Sequence, residues 1–248
     1  MDWASFFKYN NSMPYIYALI TAAGTIIGGA LPFTKIFREA ANRYLIGFAA
    51  GAMIGIALFD LIPQASRLAS NGFESGGVFI ALGFFLVYLL EKIVLIHIHA
   101  DDEETMLKAV GWVPVIGIVL ESLIDGLAIA VGFALEPALG LTIALAVLAH
   151  ELPRGFTTTV IMQRAKYSLK VIWSALLIDA LFVLLGVAIA GFFPPAALPR
   201  LLAFTAGVFL YVGAGDLLPE AHRQLNAGVV TSVLAGAALI WLISAVVV

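Results

Sequence analysis

The chain has 248 residues, 62% hydrophobic and only 12% charged, with no cysteine and a formal net charge of −3. Soluble domains are roughly a quarter charged, so most of this chain cannot face water, which excludes a soluble globular domain, a disordered chain and a nucleic-acid binder with its basic face. The lack of cysteine excludes a disulfide scaffold, cysteine catalysis and any thiolate metal site.

A hydrocarbon core about 30 Å thick takes about 20 apolar residues as a helix. Such segments recur eight times along the chain, at roughly 14–34, 43–66, 77–96, 113–134, 138–164, 169–193, 200–221 and 228–248. The runs lack alternation, which argues against a barrel. The expected fold is therefore all-α, polytopic, with eight transmembrane helices. Short loops make residues 1–248 one bundle. Gly24 and Gly28 in span 1, and Gly51 and Gly55 in span 2, have the spacing that lets helices approach closely. The N-terminus opens on Asp2 without a cationic stretch, so residues 1–13 do not read as a cleaved signal peptide.

Arg and Lys collect on the cytoplasmic side. With eight spans both termini share a side. If that side is outside, the inner segments hold nine basic residues (Lys35, Arg38, Arg43, Lys92, Lys108, Arg164, Lys166, Lys170 and Arg223) and the outer ones three (Lys8, Arg67 and Arg200). The expectation is a multi-pass protein of the cell membrane with both termini outside. The inner segment after span 3 also carries His97, His99, Asp101, Asp102, Glu103 and Glu104. It reads as a solvated loop, with a weak metal-gathering role for His97 and His99 as the sharper alternative.

Residues 48–65 (FAAGAMIGIALFDLIPQA) and 204–221 (FTAGVFLYVGAGDLLPEA) align without gaps, with 7 of 18 positions identical, including an Asp-x-x-Pro at the same register. The copies lie in spans 2 and 7, an odd number apart, so they run in opposite directions. That reads as an inverted repeat of spans 1–3 (about 14–96) and 6–8 (about 169–248), with central helices at about 113–164. Inverted repeats are an architecture of secondary transporters, which bind substrate near the midplane. The repeat places Asp60 toward the outer side, and Asp216 toward the inner side with Glu220 beyond it.

Ionisable groups deep in a bilayer each cost about 2.5–3.5 kcal/mol on insertion scales. Spans 4 and 5 carry five at one depth: Glu121, Asp125, His150, Glu151 and Arg154. Glu121 and Asp125 share one helix face, as do His150 and Arg154. Ser122 adds a hydroxyl, and Pro153 frees the Ala149 carbonyl close to His150. Glu121, Asp125 and Glu151 against Arg154 leave two negative charges, which a divalent cation neutralises. Carboxylates with an imidazole suit zinc, iron(II), manganese, cobalt, nickel or cadmium. The plain alternative is a structural network in which Arg154 pairs with Asp125 or Glu121. Glu91 and Glu136 read as helix-end or pairing acids. Asp179, in span 6, is deep enough to be a candidate ligand.

Glu121-Ser122-Leu123-Ile124-Asp125-Gly126 followed by Leu127-Ala128-Ile129-Ala130, His150-Glu151-Leu152-Pro153-Arg154-Gly155, Asp60-Leu61-Ile62-Pro63 and Asp216-Leu217-Leu218-Pro219-Glu220 together resemble the ZIP (Zrt/Irt-like) family of metal transporters. The resemblance implies eight spans, both termini outside, a 3+2+3 inverted repeat and a divalent metal ion, zinc above all, as the transported substrate. Three positions depart from the family pattern. Glu121 stands where the family has His. Ser122 stands for Asn. Arg154 stands for a carboxylate or imidazole that bridges two metals. A guanidinium neither ligates a metal nor deprotonates, so at most one ion is expected at the midplane.

The leading expectation is a divalent metal-ion transporter, not an enzyme, moving ions toward the cytoplasm by alternating access. Its metal ligands are Glu121, Asp125, His150 and Glu151, and its pathway or secondary residues are Ser122, Asp60, Asp179, Asp216, Glu220, His97 and His99. Its partners are the metal ion and the lipid bilayer, a homodimer is left open, and no organic cofactor is expected. An alternative keeps the fold but lets Arg154 replace the metal, so that the protein transports another solute or acts as a sensor. A metalloprotease reading of His150-Glu151 fails at Arg154, which occupies the second His position of HExxH.

Overall fold

The structure, a computed structural model, describes residues 12–34, 39–68, 73–96, 103–224 and 226–247. All regular structure among the described residues is helical. Among the described residues eight long helices follow one another: α1 Ser12–Ala30, α2 Glu39–Ile56 continued by Ile62–Leu68, α3 Phe73–Ile96, α4 Glu103–Leu135, α5 Pro137–Arg164, α6 Leu169–Ala190, α7 Leu198–Leu210 continued by Leu218–Ala221, and α8 Ala227–Val247. Seven of them hold a stretch long and apolar enough to cross a membrane. The eighth, α3, is a 24-residue apolar helix. The architecture is that of a polytopic all-α membrane protein.

Helix α4 starts at Glu103, about ten residues before the expected span. At the other end of α4 a single residue, Glu136, joins it to α5, where Gly132 lies against Gly140.

Four helix pairs organise the bundle: α1 with α5, α4 with α6, α2 with α8, and α3 with α7. Glycines set their spacing. A Cβ at Gly28 would lie 2.0 Å from the Leu152 carbonyl oxygen, and one at Gly126 1.9 Å from that of Val183. In α2, Gly47, Gly51 and Gly55 meet Val229, Val233 and Ala237 in turn, so α2 and α8 run parallel. Gly51 and its repeat counterpart Gly207 play the same part. The first abuts the Val233 carbonyl of α8 and the second the Ile80 carbonyl of α3, each at 1.9 Å from an added Cβ. These are the pairings that a pseudo-two-fold exchanging α1–α3 with α6–α8, and α4 with α5, requires.

Each copy of the Asp-x-x-Pro carries a π-helical segment: Ala57–Leu61 in α2 and Tyr211–Leu217 in α7. Proline removes one donor and crowds the carbonyl four residues back, and the ladder re-forms one residue wider. The Ile62 amide donates to Ala57, and the Leu218 amide to Gly213. Pro153 leaves α5 continuous, and the widened backbone lies at Asp60 and Asp216.

Of the seven stretches long and apolar enough to cross a membrane, that of α5 is the most enclosed and that of α8 the least. Met53, Ile56, Ile129, Ile143, Phe209 and Ile240 belong to the main core. Leu82, Phe85, Leu181 and Leu234 are exposed, as suits surfaces that face lipid tails.

Candidate functional site

The ionisable residues of α4 and α5 converge because Gly126 and Gly155 let α6 and α1 press against these two helices. Asp125, Glu151 and His150 are at most 1% exposed. One ligand atom from each lies within 4.8 Å of the others. The His150 Nε2 is 3.2 Å from Asp125 Oδ2, and its Nδ1 is 3.2 Å from the Ala146 carbonyl oxygen. A carbonyl only accepts, so that contact assigns the proton to Nδ1. The Nε2 lone pair then faces a carboxylate oxygen, and two electron-rich atoms at this distance need a shared proton or a cation.

Arg154 enters the same space. Its Nη2 donates to Ser122 Oγ at 2.7 Å, to Asp125 Oδ2 at 3.2 Å and to Glu151 Oε1. Its Nη1 is 3.0 Å from Glu121 Oε2. One guanidinium thus touches Glu121, Asp125 and Glu151. Glu121 lies on the far side of it and outside the Asp125–His150–Glu151 group.

Two flanking helices complete the cluster. In α6, Asp179 is 1% exposed and accepts from the Ser122 hydroxyl. In α1, the Thr25 hydroxyl donates to Glu151 Oε2. Both Glu151 oxygens are therefore held, one by Thr25 and one by Arg154. Asp125 Oδ1, Glu121 Oε1, Asp179 Oδ2 and Arg154 Nε are buried without a hydrogen-bond partner. Four carboxylates and one guanidinium leave a formal charge of −3 when all are ionised. A buried excess of this kind is costly unless compensated.

The remaining candidates lie apart. Asp60 borders a cleft of about 380 Å³ shared with Gln64, Arg67, Glu136 and Trp241, and accepts from Ser244 at 2.6 Å. Asp216 is exposed, within electrostatic reach of Glu91, Glu220, Arg154 and Lys92. Glu91 pairs with Lys92 at 2.6 Å and accepts from the Tyr211 hydroxyl. Glu220 pairs with Arg223 at 2.8 Å. His97 and His99 lie outside the described residues.

Thr25, Ser244 and Tyr211 escaped the reading of the sequence. A hydroxyl in an apolar helix has no pattern of its own. The one usable signal for Thr25 was its place between Gly24 and Gly28, on the stretch of α1 that approaches α5 most closely.

A family model described as "ZIP Zinc transporter" matches residues 97–244, more than half of the chain. Zinc transporter ZIP13 of Pongo abelii is 26% identical over 197 residues, covering 72% of this chain and 58% of that protein. Zinc transporter ZIP10 of Mus musculus is 30% identical over 127 residues, covering 50% of this chain and 15% of that protein. Zinc transporter foi of Drosophila melanogaster is 30% identical over 134 residues, 52% of this chain and 19% of that protein. The chain thus spans less than two thirds of each of these relatives.

Proposed function

The chain belongs to the ZIP zinc transporter family, and from that premise we propose that it moves a divalent metal ion, zinc foremost, across the cell membrane toward the cytoplasm by alternating access. The observation that carries this reading is the buried meeting of Asp125, His150 and Glu151 within 4.8 Å. Two carboxylates and an imidazole offer the ligand set of a borderline metal. His150 is already oriented by the Ala146 carbonyl, the kind of outer contact that fixes a metal-ligating tautomer. The ion enters past Asp60 in the Arg67–Glu136 cleft and binds the central group. It leaves past Asp216 and Glu220, with both termini outside. Metal binds deprotonated carboxylates and neutral imidazole, so acidification weakens binding.

The test is uptake of zinc, manganese, iron(II), cobalt and cadmium into proteoliposomes. The reading predicts uptake of at least one, abolished by Glu151→Ala. Absence of uptake for all five contradicts it. A second reading is favoured by one observation, the contact of Arg154 with Glu121, Asp125 and Glu151. In it the guanidinium replaces the metal permanently, and the protein moves another solute or acts as a sensor. Metal binding that appears only in Arg154→Glu would select this second reading.

A further inference from the structure

Arg154 Nη2 and a metal ion compete for the same atoms. Nη2 holds Asp125 Oδ2 and Glu151 Oε1, the acidic pair that meets His150. A zinc-like ion needs carboxylate oxygens at about 2.0–2.2 Å, and a guanidinium at hydrogen-bond distance from those oxygens repels and obstructs it. The cluster also contains a second set of acceptors that the His150 group does not use. Glu121 Oε2 is already 3.0 Å from Nη1, and Glu121 Oε1 has no partner. Asp179 Oδ2 is buried and unpartnered, and Asp179 is linked through Ser122 to Arg154 itself. The second set adjoins the present position of the guanidinium, through Nη1 on Glu121 and through Ser122 on Asp179.

Building on the metal-ion reading above, we propose that Arg154 is a built-in competitor of the transported ion, yielding Asp125 and Glu151 when the ion binds and moving onto Glu121 and Asp179. The four buried acids then face a cation from the chain itself whenever no ion is bound. Arg154 thereby offsets one of their charges in the empty carrier, and the apparent affinity for metal is set by the exchange of guanidinium for ion.

The experiment uses the full chain purified in detergent, with 15N-labelled arginine side chains, titrated with Cd²⁺ by calorimetry and by NMR of the guanidinium resonances. The Arg154 signal is assigned by its loss in Arg154→Lys. The expected result is one Cd²⁺ per chain, an Arg154 resonance that shifts in step with saturation, tenfold or tighter binding in Arg154→Gln, and weaker binding in Asp179→Asn. The wild-type titration decides the matter even if Arg154→Gln does not fold. Cd²⁺ binding with an unmoved Arg154 resonance, or with equal affinity in Arg154→Gln, overturns the competitor and leaves the metal reading standing. Binding in Arg154→Gln alone supports the competitor and contradicts wild-type transport. Binding in neither protein overturns both.

Discussion

Asp125 Oδ2 faces His150 Nε2 and Arg154 Nη2, each at 3.2 Å, in space that no lipid or bulk water reaches. Which cation shares that oxygen decides what the protein does. Supporting contacts should therefore register in binding. Thr25→Val removes the donor to Glu151 Oε2. A hydrogen bond to a charged group is worth about 1.5–3 kcal/mol, so metal affinity should fall by roughly tenfold or more, at 1.4 kcal/mol per factor of ten. Thr25→Ser should restore it. Equal affinities in calorimetry would make Thr25 a bystander. Arg154→Ala should lower stability by about 3–5 kcal/mol, the cost of leaving buried acids without their partner, read as a fall in thermal midpoint. Glu121, Asp125, His150, Glu151 and Arg154 were legible because ionisable residues stand out in an apolar chain. The pairing of Arg154 with Asp125 or Glu121 was legible as the plain alternative, but its simultaneous contact with both and with Glu151 was not, because helical spacing fixes faces and leaves rotamers free to choose among partners.

Helix positions were the most legible level. Apolar runs of about 20 residues located all eight spans, and the Gly24–Gly28 and Gly51–Gly55 spacings marked real close approaches to α5 and α8. The backbone state at each proline was not legible. Among the prolines inside spans, Pro63 and Pro219 follow a π-helical segment, whereas Pro153 lies in a continuous helix. Proline type alone does not say whether a helix absorbs the lost bond or widens its ladder. Because such segments recur at functional sites, Pro63→Ala and Pro219→Ala should regularise α2 and α7, raising thermal stability while lowering uptake. A loss of stability together with uptake would make the prolines ordinary packing residues. Gly126→Ala pushes a Cβ to 1.9 Å from the Val183 carbonyl oxygen. The expected cost is about 3 kcal/mol or more, at the upper end of overpacking. Gly76→Ala, with nothing within 4 Å of an added Cβ, is the neutral control in the same melting experiment.

At the scale of the whole molecule, α2 pairs with α8 as α7 pairs with α3, and α1 with α5 as α6 with α4. Two equivalent π-helical segments are thereby presented, one at the Asp60 cleft and one beside Asp216. If these mark opposite ends of one pathway, they must label from opposite sides. The chain has no native cysteine, so Arg67→Cys and Arg223→Cys give clean single reporters. An impermeant thiol reagent should modify Arg67→Cys from outside intact cells and Arg223→Cys only after permeabilisation. Labelling of both from one side would break the inverted arrangement. The most direct test of the central claim is anomalous diffraction from crystals soaked in cadmium. The account predicts one strong peak among Asp125, His150 and Glu151, lost in Glu151→Ala. A protein that transports cadmium yet shows no peak among those three residues would contradict it.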